Sequence, residues 1–150
     1  MSTNTVRLHR VLRTTPDRLY RAFLDPAAWA KWLPPHGFTC TVDKLEPRVE
    51  GKWHAAFTNH TTGGSHSFGG TYLELVPGRK LRYTSRFDDP ALAGEMTTTV
   101  TITAGAMGTT LEVVQEGIPP QIPVDACYMG WQQSLQLLQL LVEPEIPDGV

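Results

Sequence analysis

The sequence has 150 residues, the length of one ordinary domain, and its 41% hydrophobic and 19% charged residues are typical of a globular chain. Thirteen basic and fifteen acidic residues give a net charge of −2 at pH 7, which argues against a strongly basic nucleic-acid or membrane-surface binder. No apolar run approaches the ~20 residues of a membrane span, and the first ten residues contain no apolar core of a secretory signal. We therefore expect one cytoplasmic domain over residues 1–150, with no nucleic-acid partner, no membrane span and a frayed tail at residues 143–150.

The chain begins with a predicted strand and two short helices. Alternation of apolar and polar residues from Val6 to Leu12 predicts the strand. Thr15 followed by Pro16 predicts a helix start, because Thr can cap free backbone N–H groups and Pro has no N–H to leave unpaired. Asp25 and the following proline start a second helix, which ends near Trp32 ahead of two prolines.

Six further strands are predicted between Phe38 and Glu116, where the apolar period changes to two. The turns between them are short, so the strands form an antiparallel meander with one inward face. A tight turn at Pro77-Gly78 places Leu73 across from Tyr83 on the inner face. The predicted strands are 38–45, 51–58, 67–76, 80–87, 96–103 and 109–115. The residues predicted to point inward are Trp53, Ala55, Phe57, Leu81, Tyr83, Phe87, Met96, Thr98, Val100 and Ile102.

One long amphipathic helix is predicted over residues 124–142. Nineteen helical residues span roughly 28 Å, enough to cross a whole sheet. Gly130 in the middle of this helix is expected to permit close contact with the sheet or a loop. A curved antiparallel sheet of about seven strands must bury one face against this helix, which predicts an α+β fold with a gap between the two. The apolar positions of the helix are Val124, Cys127, Tyr128, Trp131, Leu135, Leu138 and Val142.

Several local motifs occur in a fixed order along these elements. They are Arg10, the segment TPDRLYRAF at 15–23, WLPP at 32–35, RVEGKW at 48–53, GTYLELVP at 70–77, and Gly130-Trp131 with Leu135 and Leu138. From about Val6 to Leu141 the chain thereby resembles the START-like helix-grip superfamily and, within it, the family of activator of heat-shock protein 90 ATPase homologues. It departs from the family pattern at Glu50, where the first Gly of a pair is usual, and at Leu33, where a second Trp is common.

The resemblance implies a helix-grip fold and leaves several functions open. Relatives bind lipids, hormones or polyketides in a cavity, a few catalyse cyclisation, and others act as co-chaperones. The first hypothesis is a non-enzymatic binder of a small hydrophobic or amphipathic molecule. The alternatives are a chaperone-accessory, stress-response protein and an enzyme of the cyclase or hydrolase type.

Catalytic and cofactor motifs are not found in the sequence, so we name no catalytic residue and expect no cofactor. His54, His60 and His66 are spaced by six, but only the last two can meet across a hairpin near Gly63, so we expect no metal site. An enzyme would need an inward general base, for which the candidates are His54, Glu74 and Glu116. The preferred interpretation of Glu74 is a surface ion pair with Arg82.

Arg10 lies on an otherwise apolar face of the first strand. The preferred interpretation is an ion pair with Glu112 or Glu116, and the alternative is an anchor for an anionic head group.

Large inward side chains are the remaining indication of function. Either they only fill the core, or they line a ligand pocket with Tyr83, Tyr128 and Ser85 as its few polar groups. Met129, Leu137, Leu140 and Leu141 extend the apolar surface of the last helix beyond one stripe, so either the amino-terminal strand and loops cover them or a partner subunit does, and a homodimer is the secondary hypothesis. The predicted ligand-binding residues are Phe38, Trp53, Phe57, Leu73, Tyr83, Phe87, Met96, Val100, Tyr128, Trp131 and Leu135.

Overall fold

A computed structural model describes residues 4–149 of the chain. Residues 1–3 and 150, the ends of the predicted domain and tail, lie outside the described residues. The predicted order of strands and helices is confirmed, with strand ends shifted by at most two residues. The elements are β1 Val6–Leu12, α1 Pro16–Leu24, α2 Pro26–Trp32, β2 Phe38–Leu45, β3 Lys52–Asn59, β4 Ser65–Val76, β5 Lys80–Phe87, a 3₁₀ turn Pro90–Leu92, β6 Met96–Gly105, β7 Gly108–Glu116 and α3 Val124–Val142.

The seven strands form one curved antiparallel sheet in the order β1-β7-β6-β5-β4-β3-β2. Strands β2 to β7 are sequential neighbours, as short hairpin connections require, and β1 pairs with β7 at the far edge. Helix α3 packs against α2 and β1. The α+β helix-grip prediction is therefore confirmed.

The two short helices begin where their capping residues dictate. The side chain of Thr15 accepts a hydrogen bond from the backbone N–H of Arg18 at 3.2 Å, and Pro16 is the first residue of α1. Asp25 ends α1 and caps α2, with its carboxylate accepting from the N–H of Ala27 at 3.0 Å. These caps set the direction of α2, which carries two tryptophans into the core.

Hydrogen bonds from buried side chains fix the helices against one another. The indole N–H of Trp32 donates to the carbonyl oxygen of Ala22 at 2.8 Å, which joins α2 to α1. The hydroxyl of Ser134 on α3 donates to the carbonyl oxygen of Leu33 at 2.6 Å, just after α2. Both tryptophans of α2, Trp29 and Trp32, are at most 1% exposed. The two short helices thus close one side of the space beneath α3.

The alternation of inner and outer residues is confirmed on β3, β5 and β6, and on β4 it is wrong at Leu73. An irregularity in the β4–β5 pairing between Tyr72 and Glu74 brings Tyr72, not Leu73, opposite Tyr83. Leu73 is therefore 44% exposed, whereas Tyr72 is buried. Glu74 does lie opposite Arg82, but its carboxylate pairs with Lys80 at 3.1 Å.

Candidate functional site

A cavity of about 430 Å³ lies between the inner face of the sheet and α3. Its volume falls in the range that holds small organic ligands. Most of its lining is aromatic or aliphatic. The lining residues are Trp29, Leu33, Pro35, Phe38, Trp53, Phe57, His66, Phe68, Tyr83, Ser85, Phe87, Met96, Gln115, Ile122, Ala126, Cys127, Gly130, Trp131 and Ser134.

The closed end of the cavity is lined by rings in edge-to-face contact. The Trp53 ring centre lies 4.9 Å from that of Trp29, 5.8 Å from that of Phe68 and 5.9 Å from that of Tyr83, at interplanar angles between 73° and 90°. Such T-shaped pairs are the favoured geometry for aromatic side chains. All four side chains are buried, so this end of the cavity is well packed.

The other end of the cavity is more exposed and is bordered by His66 on β4. The imidazole centre lies 5.7 Å from the ring centre of Phe57 and 6.1 Å from those of Phe38, Phe68 and Phe87. The His66 residue is exposed, but partial desolvation by these rings lowers the pKa of its imidazole, because desolvation disfavours the imidazolium form. His66 therefore adds no charge to the cavity near neutral pH.

Polar side chains on the inner face form one row across the sheet. Tyr83 pairs with Thr98, and Thr98 pairs with Gln115 on the next strand. The side-chain oxygen of Gln115 accepts from the indole N–H of Trp131 at 3.0 Å, which joins α3 to β7. The amide of Gln115 donates to the hydroxyl of Thr98 at 3.4 Å. Burial raises the pKa of the Tyr83 phenol, which is therefore neutral.

Seven of the eleven predicted site residues line the cavity. Val100 and Leu135 are buried in the core outside it, at 0% and 2% exposure. The prediction that Leu73 and Tyr128 face inward is wrong, since they are 44% and 41% exposed. Ligand binding by the lining residues remains a prediction. The seven are Phe38, Trp53, Phe57, Tyr83, Phe87, Met96 and Trp131.

Physical reasons account for the two misplaced side chains. The irregular pairing in β4 adds one residue at Leu73, so its side chain turns to the outer face. On α3, Cys127 and Trp131 line the cavity and are four residues apart, so they share one helical face. Tyr128 lies next to Cys127 and is turned about 100° around the helix axis.

Sequence reasoning missed Trp29, Phe68, His66 and Gln115 as lining residues. Trp29 and Trp32 are three residues apart on α2, a spacing that indicates one buried helical face. Phe68, Gly70 and Tyr72 alternate along β4, which indicates the inner face before the irregular pairing. No sequence pattern identifies Gln115, because its role depends on Trp131 of α3.

The prediction that Gly130 permits a close contact is wrong. No heavy atom outside its own helix backbone and chain neighbours lies within 4 Å of the position that a Cβ would take there. Gly130 instead lines the cavity. Its missing side chain leaves space for an occupant.

The predicted ion pair of Arg10 is wrong as well. Its guanidinium donates to the carbonyl oxygen of His9 at 2.8 Å, and within residues 4–149 it forms no ion pair with Glu112 or Glu116. Arg10 is half-buried and does not line the cavity. It is therefore not placed to hold the head group of a cavity ligand.

None of the three candidate general bases lines the cavity. His54 bridges Asp43 and Asp88, Glu74 is paired with Lys80, and Glu116 is exposed. The enzyme alternative therefore has no general base among these residues.

A polar cluster on the outer face of the sheet is built around His54. Its Nδ1 lies 2.7 Å from a carboxylate oxygen of Asp43, and its Nε2 lies 2.7 Å from Oδ2 of Asp88. The hydroxyl of Ser67 also donates to Oδ2 of Asp88. Hydrogen bonds to Asp88 and then to Asp43 raise the pKa of His54, since both carboxylates favour the imidazolium.

Within residues 4–149, no group of three or more His, Cys, Asp or Glu side chains could hold a metal ion. Across the β3–β4 hairpin His66 faces Phe57, and His54 faces Gly69. No helix in this described part of the chain is long and apolar enough to cross a membrane.

Comparison with known proteins agrees with this architecture. The model of the family "Activator of Hsp90 ATPase homolog 1-like protein" matches residues 13–143. Protein CV1439 from Chromobacterium violaceum is 56% identical, with a TM-score of 0.93 over 95% of this chain and 99% of that chain. No curated protein matches.

More distant solved structures share the fold alone. A protein from Rhodobacter sphaeroides is 21% identical, with a TM-score of 0.81 over 93% of this chain and 92% of that chain. The AHSA1-like protein from Aeromonas hydrophila is 16% identical, with a TM-score of 0.75 over 93% and 92% of the two chains. Family and fold are consistent with ligand binding or with a co-chaperone-like role.

Proposed function

We propose that this chain, which belongs to the family of Activator of Hsp90 ATPase homolog 1-like proteins, binds a small hydrophobic or amphipathic molecule between its sheet and α3. The observation that carries the proposal is the aromatic cavity of about 430 Å³. Its closed end is built from buried, edge-packed rings, and its other end is bordered by half-exposed phenylalanines around His66. A preformed apolar space with a few polar groups is typical of a ligand site.

Packing alone is a weaker explanation of the same side chains. Protein interiors are filled to the density of organic crystals, and voids much larger than a water molecule are few. A space of this size is lined by Gly130, where a larger residue would fill part of it and would also favour the helix. Leaving Gly there weakens the helix and keeps the space open, which favours a binding role.

Native mass spectrometry and a thermal-shift screen test the proposal. Gently purified protein should carry a non-covalent adduct, or should gain thermal stability with members of a panel of lipids, aromatics and polyketide-like compounds. The expected rise in melting temperature depends on ligand concentration, because binding to the folded state alone stabilises it by mass action. No adduct and no shift across the whole panel would remove the support for a binding function.

A second candidate function is a chaperone-accessory role, which the family description favours. It would act through the surface, where Met129 and Leu140 are 54% and 72% exposed on α3. A pull-down with the Hsp90 of the same cell, with ATPase turnover measured alongside, tests it. Contact that is lost in a Met129→Glu/Leu140→Glu variant supports this role, and absence of both contact and ATPase stimulation contradicts it.

The same pair of residues allows a test of the predicted homodimer. Light scattering at micromolar concentration should give twice the monomer mass if these exposed side chains are covered by a second copy. The Met129→Glu/Leu140→Glu variant should then be a monomer. A monomeric wild-type protein contradicts the dimer and leaves the cavity proposal unaffected.

A further inference from the structure

The cavity lining is free of formal charge. As far as residues 4–149 form it, the lining contains no Asp, Glu, Lys or Arg. Its titratable side chains are His66, Tyr83 and Cys127, and burial shifts the pKa of each toward the neutral form. A charged group that enters this space loses its hydration and finds no counter-ion, which is strongly unfavourable.

One hydroxyl of the lining lacks a partner. Ser85 on β5 is 6% exposed and lines the cavity, yet its hydroxyl makes no hydrogen bond to any other group of the described residues. Two other polar groups of the lining, the indole N–H groups of Trp29 and Trp53, also lack a partner among the described residues, but both are enclosed by protein atoms. The hydroxyl of Ser134 donates to the carbonyl oxygen of Leu33 at 2.6 Å, and the side-chain oxygen of Gln115 accepts from Trp131 at 3.0 Å. Unlike the two indole N–H groups, the Ser85 hydroxyl is not enclosed by protein atoms, so an atom within the cavity can form a hydrogen bond with it.

The position of Ser85 gives a ligand both an apolar and a polar contact. Its neighbours in the lining include Phe87, two residues along the inner face of β5, and Met96, its pairing partner on β6. A flat apolar molecule among these side chains could direct one polar atom toward the hydroxyl. A hydroxyl both donates and accepts, so either a carbonyl or a hydroxyl of the ligand would suit it.

We propose that the cavity selects an uncharged, mainly hydrocarbon molecule with one neutral hydrogen-bonding group, and that the hydroxyl of Ser85 binds that group. This inference rests on the proposed function, because it names the ligand chemistry of the same cavity. It excludes carboxylates and other anionic amphiphiles as preferred ligands. An ionised head group would have to remain at the open end, beside the phenylalanines that surround His66.

Three naphthalenes that differ only in one substituent test the inference. Isothermal titration calorimetry at pH 8 would compare naphthalene, 2-acetylnaphthalene, which carries a neutral acceptor, and 2-naphthoate, which is ionised. We expect 2-acetylnaphthalene to bind best and 2-naphthoate to bind at least about tenfold more weakly than the ketone. Equal or tighter binding of 2-naphthoate would overturn the selection of neutral ligands while leaving the cavity proposal in place.

Two serine variants separate a hydrogen bond from a change of shape. Ser85→Ala should weaken 2-acetylnaphthalene binding about three- to tenfold and leave naphthalene binding unchanged. Ser134→Ala is the matched control, since the hydroxyl of Ser134 already has protein acceptors. In this variant the ratio of the affinity for 2-acetylnaphthalene to the affinity for naphthalene should stay at the wild-type value. Equal loss for both compounds in Ser85→Ala would contradict the role of its hydroxyl.

The outcomes distinguish this inference from the function on which it rests. Binding of none of the three compounds contradicts the proposed function together with the inference. Binding of naphthalene with no preference for the ketone, and no effect of Ser85→Ala, supports the cavity and overturns the hydrogen bond to Ser85.

Discussion

His54 and His66 lie on neighbouring strands of one hairpin, but their surroundings shift their pKa values in opposite directions. His54 is on the outer face, where hydrogen bonds to Asp88 and Asp43 raise its pKa. His66 is at the cavity, where burial among phenylalanines lowers its pKa. The comparison shows that the sheet separates a charged outer surface from an uncharged inner one.

The contact geometry leads to the same conclusion for His54. Both ring nitrogens lie 2.7 Å from carboxylate oxygens, and only an imidazolium can donate from both. A neutral ring would leave one carboxylate facing a lone pair. Asp43 lies at the irregularity in the β2–β3 pairing and Asp88 follows β5, so the charged ring joins three strands across the outer face.

Glycines at two adjacent positions of β4 make room for both faces of this arrangement. A Cβ at Gly69 would lie 3.0 Å from the His54 ring and 2.7 Å from a backbone oxygen of Trp53. A Cβ at Gly70 would overlap the backbone carbonyl of Thr84 and would lie 3.0 Å from the indole nitrogen of Trp53. The Gly-Gly pair is therefore required first by the close approach of the backbones of Trp53 on β3 and Thr84 on β5, and next by the rings of His54 outside and Trp53 inside.

The largest expected effect comes from truncating neighbouring residues on the two faces. Trp53→Ala should lower the free energy of unfolding by about 3–5 kcal/mol, because it leaves a hole among packed rings. His54→Ala should lower it by about 1 kcal/mol or less, since the ion pairs that it removes are exposed. Urea denaturation at pH 6 measures both changes. A cost for His54→Ala equal to that for Trp53→Ala would mean that the outer cluster, not the ring core, holds the sheet.

The two histidines should give the stability of the protein opposite pH dependences. The pKa of His54 is higher in the folded than in the unfolded chain, where it is about 6.5. The interactions of His54 with the two carboxylates therefore stabilise the fold fully below about pH 6.5, and this stabilisation is lost as pH rises through the folded-state pKa. The pKa of His66 is lowered in the folded state, so as pH falls below about 6.5 the unfolded chain binds a proton that the folded ring does not, and the fold loses stability.

Urea denaturation between pH 5 and 8.5 separates the two contributions. His54→Gln should remove a loss of stability on the alkaline side of pH 6.5, and His66→Gln should remove one on the acidic side. His60→Gln is a suitable control, because within residues 4–149 the His60 ring makes neither an ion pair, as His54 does, nor a contact with phenylalanine rings, as His66 does. Variants of His54 and His66 that change the pH profile in the same direction would contradict the contrast between the faces.

The smallest expected effect concerns Glu50 in the turn before β3. Its φ of 68° lies in the left-handed region, which costs a non-glycine residue about 1–2 kcal/mol. Because glycine also gains freedom in the unfolded chain, Glu50→Gly should raise the free energy of unfolding by about 1 kcal/mol or less. Val49→Gly, one residue earlier, should lower it. Destabilisation by Glu50→Gly in urea denaturation would contradict this account of the turn.

Much of the fold was predictable because a strand or helix that buries one face has apolar residues at regular intervals in its sequence. Alternation located all seven strands, and a helical period located α3 at Val124–Val142 without error. Resemblance in ordered motifs predicted the family, which the match over residues 13–143 confirms. Position 50, where the family usually has glycine, indeed adopts a conformation that favours it.

The remaining features depend on contacts between distant residues. A single irregular pairing at Leu73 reverses the face of that side chain, and no local pattern records it. Asp43 and Asp88 reach His54 only after β2, β3 and β5 have assembled. Some large residues, such as Trp29, line the cavity, and others, such as Leu135, only fill the core. This difference depends on how α3 lies across the sheet.

Filling the cavity from α3 tests most directly whether it is a binding site. Gly130 lines the cavity with open space where its Cβ would lie, whereas Gln136 is exposed on the same helix. We predict that Gly130→Leu stays folded and binds 2-acetylnaphthalene at least about tenfold more weakly, and that Gln136→Leu binds it as the wild type does. Undiminished binding by a folded Gly130→Leu variant would contradict the placement of the ligand between the sheet and α3.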